Sequence, residues 1–230
     1  MEDIDPKIDY QRLGQLSDEF TQLWTRLQAF YLDAAAGFAL VRDHVEAEQR
    51  RARSYVQGSE LDSEEFQNTL SFTYSGIFTD GFVTSGIHRA AKGEVKARNA
   101  ADGINFTTLG QLCLISFYDY WNDYLRREYV VAKGYLDRTE QSDRVVRECL
   151  RKYARNDLWG DLYYLRTSIV HNRGVAISDV AKCKIIKWFA PGDAITITPE
   201  RMRAIFMALL VYRNELNKEQ YPPPYIQFTL

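Results

Sequence analysis

A chain of 230 residues is long enough for one large buried core or two small ones, and 46% hydrophobic with 26% charged residues excludes wholesale disorder. The formal net charge of −2 excludes a generally basic surface, so any RNA or DNA contact must come from local clusters. Cys113, Cys149 and Cys183 are isolated, odd in number and without metal-ligand spacing; they fit buried thiols of a reducing compartment, not disulfides or a zinc site.

The opening "MEDIDPKIDY" is acidic and polar, unlike a secretory leader, and no apolar run approaches the ~20 residues of a bilayer span. The expectation is a soluble cytoplasmic protein with no membrane association. Apolar positions at Leu13, Leu16, Phe20, Leu23, Leu27, Phe30, Ala34, Val41 and Val45 predict a long amphipathic helix from about Asp9 to Gln57, ended by Gly58-Ser59. "LDSEEFQNTL" restarts a helix, with Asp62 as its cap and Glu65 reaching back in a capping box. The glycine-punctuated stretch from Gly76 to Gly103 reads as short helices and loops.

Helical spacing returns from Phe106 to Gly134, with Phe106, Leu109, Cys113, Phe117, Tyr120 and Tyr124 on one stripe and Asp119, Asn122, Asp123 and Arg126 away from it. Helices follow over about Ser142–Arg155 and from Asp157 into "RTSIVHNRG". "KIIKWF" and "AITIT", separated by "APGD", predict a β-hairpin over 184–198. Pro199 and Glu200 open a last helix to about Lys218, and "YPPPYIQFTL" is an extended tail. The predicted fold is mainly α, a helical bundle with a long N-terminal helix and a small β-hairpin before the last helix. Residues 1–105 form a helical extension on a core of 106–230, together making one structural domain.

"RTSIVHNRG", Arg166 to Gly174, concentrates the polar chemistry. On a helical wheel Leu158, Leu162, Leu165 and Ile169 face a core, while His171 lines up with Asp161, Tyr164 and Ser168 on the opposite, polar side. Arg166 borders the leucine stripe, about 140° around the helix from His171. Two routes bring them together: the length of the arginine with a loosened last turn, or a two-fold axis between identical chains. Gly174 is expected in the left-handed conformation that ends the helix.

"LRTSIVHNRG", followed by "PGDAITITPERMRAIFMALLVY" and preceded by "SFYDYWNDYLRREYV", resembles the HEPN superfamily over roughly Phe106–Asn217. These are small helical domains whose signature is Arg, four to six residues, then His near a helix end. Catalytic members often carry Asn, Asp or His directly after the arginine, where this chain has Thr167.

The resemblance implies a metal-independent endoribonuclease that acts as a homodimer, without a cofactor, in a toxin or antiviral defence role. Its partners would be RNA and an antitoxin or other defence protein. His171 and Arg166 would be the catalytic pair: a proton carrier for the 2′-hydroxyl or leaving oxygen, and a bidentate phosphate holder. Thr167, Ser168, Asn172, Asp119 and Asp123 would support them. A 2′-hydroxyl nucleophile accounts for RNA as the substrate.

Arg144, Arg147, Arg151 and Arg155 share one helix face and read either as a solvated charged surface or as a phosphate-tracking stripe, with Arg173 added to the RNA-contacting set. His44 and His88 lack a matching acid or metal partner and read as surface residues. No nucleophile elbow and no phosphate-binding loop is present. The alternatives are a non-catalytic domain of the same type, binding a nucleotide or a protein partner in a larger assembly, and a helical oligomerisation scaffold.

Overall fold

The computed structural model describes residues 8–72 and 90–219. The chain is mainly helical, with α1 (Tyr10–Tyr55), α2 (Glu64–Thr69), α3 (Lys92–Arg98), α4 (Ile104–Tyr120), α5 (Arg126–Ala132), α6 (Asp143–Tyr153), α7 (Asp157–His171) and α8 (Pro199–Glu219). Single 3-10 turns cover Glu60–Asp62 and Ser178–Lys182, and a π-helical turn, Trp121–Leu125, joins α4 to α5. The long first helix forms where the apolar spacing predicts it. Its end at Tyr55 precedes Gly58, whose φ of 81° no side chain favours.

A two-stranded antiparallel ladder pairs β1 (Ser71–Phe72) with β2 (Ala90–Ala91), Ser71 opposite Ala91. The hairpin expected over 184–198 does not form. Instead Ala176 N–H donates to Asp193 O (2.8 Å), Gly192 N–H to Ala176 O (2.9 Å) and Ile195 N–H to Gly174 O (2.7 Å), so the stretch 192–195 lies against 174–176. "KIIKWF" is unavailable as a strand because its first donors are taken elsewhere. The N–H groups of Lys184 (2.9 Å), Ile185 and Ile186 (both 2.7 Å) all point at the carboxylate of Asp161. The α2 cap is also displaced by one residue from the expected Asp62: Ser63 Oγ accepts from Phe66 N–H at 3.2 Å.

The described residues gather in two compact units, so that the division falls within α1 and within α4. One comprises the described parts of Met1–Ala29, Gln111–Thr196 and Glu200–Leu230. Its core joins Leu13, Leu16 and Phe20 of α1, Leu114 and Phe117 of α4, Leu162 and Leu165 of α7, and Met202, Ile205 and Leu209 of α8. Each of these side chains withdraws apolar surface worth roughly 1.5–3 kcal/mol from water. Aromatic rings fill the centre. Phe20 meets Tyr212 edge-on at 5.5 Å, and Trp121 stacks on Trp159 with centroids 4.8 Å apart and planes 7° from parallel.

The other unit comprises the described parts of Phe30–Gly110 and Ile197–Pro199. Val45, Phe72 and Val95 make its small core, with Val41 and Ala90 packed against them. Gln49 Nε2 donates to Asn68 Oδ1 (3.0 Å), and Lys92 Nζ lies 3.1 Å from Glu48. Gly110 sits directly beneath Ile197, where a Cβ would lie 2.6 Å from that of the isoleucine. His44 is half-buried here and has an acid partner after all, Glu48 at 3.3 Å on the next turn. His88 and the Tyr-Pro-Pro-Pro-Tyr tail lie outside the described residues.

Candidate functional site

Helix α7 carries the signature residues. Asn156 caps it, its Oδ1 accepting from Leu158 N–H at 2.9 Å and Trp159 N–H at 3.4 Å. Leu158, Leu162 and Leu165 are buried, as the wheel predicts. The opposite face is not uniformly solvated, however. Asp161 is 2% exposed and Ser168 fully buried, because the chain after the helix folds back over them. Ser168 Oγ donates to Tyr164 O (2.8 Å) and accepts from Ile177 N–H (3.1 Å). Both residues hold the 174–186 segment and are structural.

The helix end takes two left-handed residues in succession, Arg173 (φ 55°) and Gly174 (φ 76°). Asn172 and Gly174 both donate their N–H to Ser168 O, at 3.1 and 3.0 Å, and Asn172 Nδ2 donates to Val175 O at 2.7 Å. Asn172 thus closes the turn through its backbone and side-chain N–H groups. His171 is the last helical residue and is exposed.

Arg166 reaches His171 within the same helix: its Nη1 lies 2.9 Å from His171 Nε2. A guanidinium has donors only, so in this contact Nε2 must be the acceptor and the imidazole proton sits on Nδ1. Arg166 Nε donates to Asp119 Oδ1 at 3.2 Å, from α4. The arginine side chain is 26% exposed and therefore held from both ends without being sealed from solvent. Of its five N–H donors two are committed, and the rest remain for a bound anion.

The remaining predicted residues divide. Thr167 is half-buried on α7. Asp123 does not join the pair; it accepts from Asn122 Nδ2 at 2.7 Å. Arg144 and Arg147 pair with Glu148 and Asp143, each at 3.3 Å on exposed turns of their own helix. Arg151 and Arg155 instead line an open cavity together with Arg126, Trp121, Trp159 and Tyr163. Tyr118 sits beside both features: it lines the cavity, and Arg126 and Arg166 both act on its phenol. Burial is the larger influence and pushes that phenol up to about 12. Arg126 was not among the expected contact residues; nothing in the spacing of α5 links it to the end of α6.

Among the described residues no group of three or more His, Cys, Asp or Glu side chains is placed to hold a metal ion, and no helix is long and apolar enough to cross a membrane. Comparison with protein-family models, with curated proteins and with solved structures gives no match.

Proposed function

We propose that the chain is a metal-independent endoribonuclease of HEPN type, in which Arg166 and His171 act on one phosphodiester. The observation that carries this reading is the 2.9 Å approach of Arg166 Nη1 to His171 Nε2, with Asp119 bracing the arginine from behind. A substrate phosphate entering between them takes over the Arg166 N–H, which frees the Nε2 lone pair. Nε2 then accepts the proton of the RNA 2′-hydroxyl as O2′ bonds to phosphorus. The P–O5′ bond breaks, the departing 5′-oxygen takes the proton back from the His171 imidazolium so formed, and a 2′,3′-cyclic phosphate remains. Arg166 balances the charge that builds on the non-bridging oxygens.

The same reading includes a homodimer, which brings a second copy of the pair to a shared groove, a cytoplasmic setting, and a toxin or antiviral role with a restraining partner protein. The test is incubation of the purified chain with labelled RNA in EDTA. Cyclic-phosphate ends that disappear with His171→Ala and with Arg166→Ala, both variants remaining folded, support the proposal. RNA left intact by the parent chain would overturn it. Sedimentation at micromolar concentration checks the dimer separately.

A further inference from the structure

The π-turn, the end of α6 and the first half of α7 enclose an open cavity of about 590 Å3. That volume falls in the range of small-ligand sites. Its wall holds Arg126, Arg151 and Arg155 and no aspartate or glutamate. In a chain with 31 acidic against 29 basic residues, this is a local segregation of charge. None of the three guanidinium groups has an ion pair or hydrogen bond among the described residues. Arg126 is the most demanding of them. It is half-buried, its Nε is shut off from solvent without a partner, and burial lowers its pKa. A desolvated cation without a counter-charge is costly, and an anion placed in the cavity removes that cost.

Beside the arginines the lining carries five aromatic rings, with Asn122, Ala154, Asn156 and Gly160 between them. The stacked Trp121 and Trp159, 4% and 3% exposed, form a rigid floor. Tyr163 is 47% exposed and leans on Tyr118, with centroids 5.9 Å apart. A flat ring open to solvent beside a cluster of guanidiniums matches a ligand with a planar base at one end and a phosphate at the other.

We propose that this cavity binds a nucleotide, with its phosphate held by Arg126, Arg151 and Arg155 and its base laid against Tyr163. The chemistry is the same for a free mononucleotide and for one residue of an RNA strand. It does not depend on cleavage, because Arg166 and His171 take no part in it.

The test uses the full chain carrying His171→Ala, so that binding is read without turnover. It is titrated, by tryptophan fluorescence and calorimetry, with the four nucleoside 5′-monophosphates, ribose 5-phosphate and a 2′-O-methyl RNA hexanucleotide. At least one nucleotide ligand binds about tenfold or more tightly than ribose 5-phosphate, and Arg126→Gln weakens it by about tenfold or more. Arg155→Gln, at an exposed position, does the same without a change in thermal midpoint. Tyr163→Ala reduces the preference for nucleotide over ribose 5-phosphate by about fivefold or more.

Saturation by mononucleotides assigns a free nucleotide. Saturation by the hexanucleotide alone, with the same sensitivity to Arg126→Gln, assigns a strand residue. The proposal is overturned if no nucleotide ligand saturates below millimolar concentration, if ribose 5-phosphate binds equally well, or if the arginine variants bind like the parent.

Discussion

Arg166 and His171 leave helix α7 about 140° apart, yet Nη1 and Nε2 end 2.9 Å from each other. The arginine spans the gap with its Nε held by Asp119 of α4 and its Nη1 reaching the histidine. This arrangement depends on a planar fork with donors on three nitrogens, which a lysine cannot reproduce. Under the proposed mechanism Arg166→Lys lowers cleavage by about 100-fold or more while leaving the fold intact. Single-turnover rates on a short RNA, with circular dichroism as the folding control, check this.

Asp161 is the anchor of the segment that follows the site helix. Replacing it with Ala leaves the buried N–H of Ile186 unpaired, together with the part-buried N–H groups of Lys184 and Ile185. The expected loss is about 3 kcal/mol, which lowers the thermal midpoint by about 10 °C in a chain of this size. Asp161→Asn keeps one acceptor oxygen and loses less. Calorimetry of the two variants separates these outcomes.

Gly110 lies on α4 in close contact with Ile197. Gly110→Ala forces the two apart in a packed interior and destabilises by about 2 kcal/mol. In urea the midpoint falls while the slope of the transition stays as in the parent chain.

Stability should fall in alkali. Burial pushes the thiols of Cys113 and Cys183 up to about 11 and about 12, the second helped by Asp161, and holds the Tyr118 phenol near 12 as well. In the unfolded chain these groups ionise nearer 9 and 10. The native state therefore holds protons that the unfolded state has released, and stability declines as pH rises from about 9 toward 12. Below about pH 8 the contribution is complete. Urea midpoints at pH 8, 9 and 10 should decrease in that order, and the native protein should resist thiol-specific reagents at pH 8 at Cys113 and Cys183 until denaturant is added.

The helices were readable because burial on one side imposes a 3.6-residue rhythm: Leu13, Leu16 and Phe20, or Leu158, Leu162 and Leu165, declare their face without help from the rest of the chain. The 184–198 hairpin failed because alternation describes a preference of the side chains, whereas Asp161, more than twenty residues away, decided where the backbone donors went. The wheel puts Ser168 and Asp161 on the polar side with His171, but it does not register the loop that returns over the helix and buries them. Its angle for Arg166 and His171 was sound, but an arginine's reach is longer than a wheel can represent. The arginine stripe of α6 broke up for a similar reason. Arg144 and Arg147 found acids on their own helix, Arg155 lies beyond the helix end, and the cavity's third cation, Arg126, arrives from another element altogether.

The π-helical turn at Trp121–Leu125 has a bearing on how α4 and α5 are aligned. Such a turn accommodates one residue more than an α-turn, so the helices on either side are out of phase by about 100° relative to an uninterrupted rod. Asp119 belongs to the upstream phase and Arg126 to the downstream one. Deleting any one residue between them would leave a continuous helix with ordinary hydrogen bonds. It would also swing Arg126 more than a quarter of a revolution away from Arg151 and Arg155, or Asp119 away from Arg166, making the length of this short stretch as consequential as its composition.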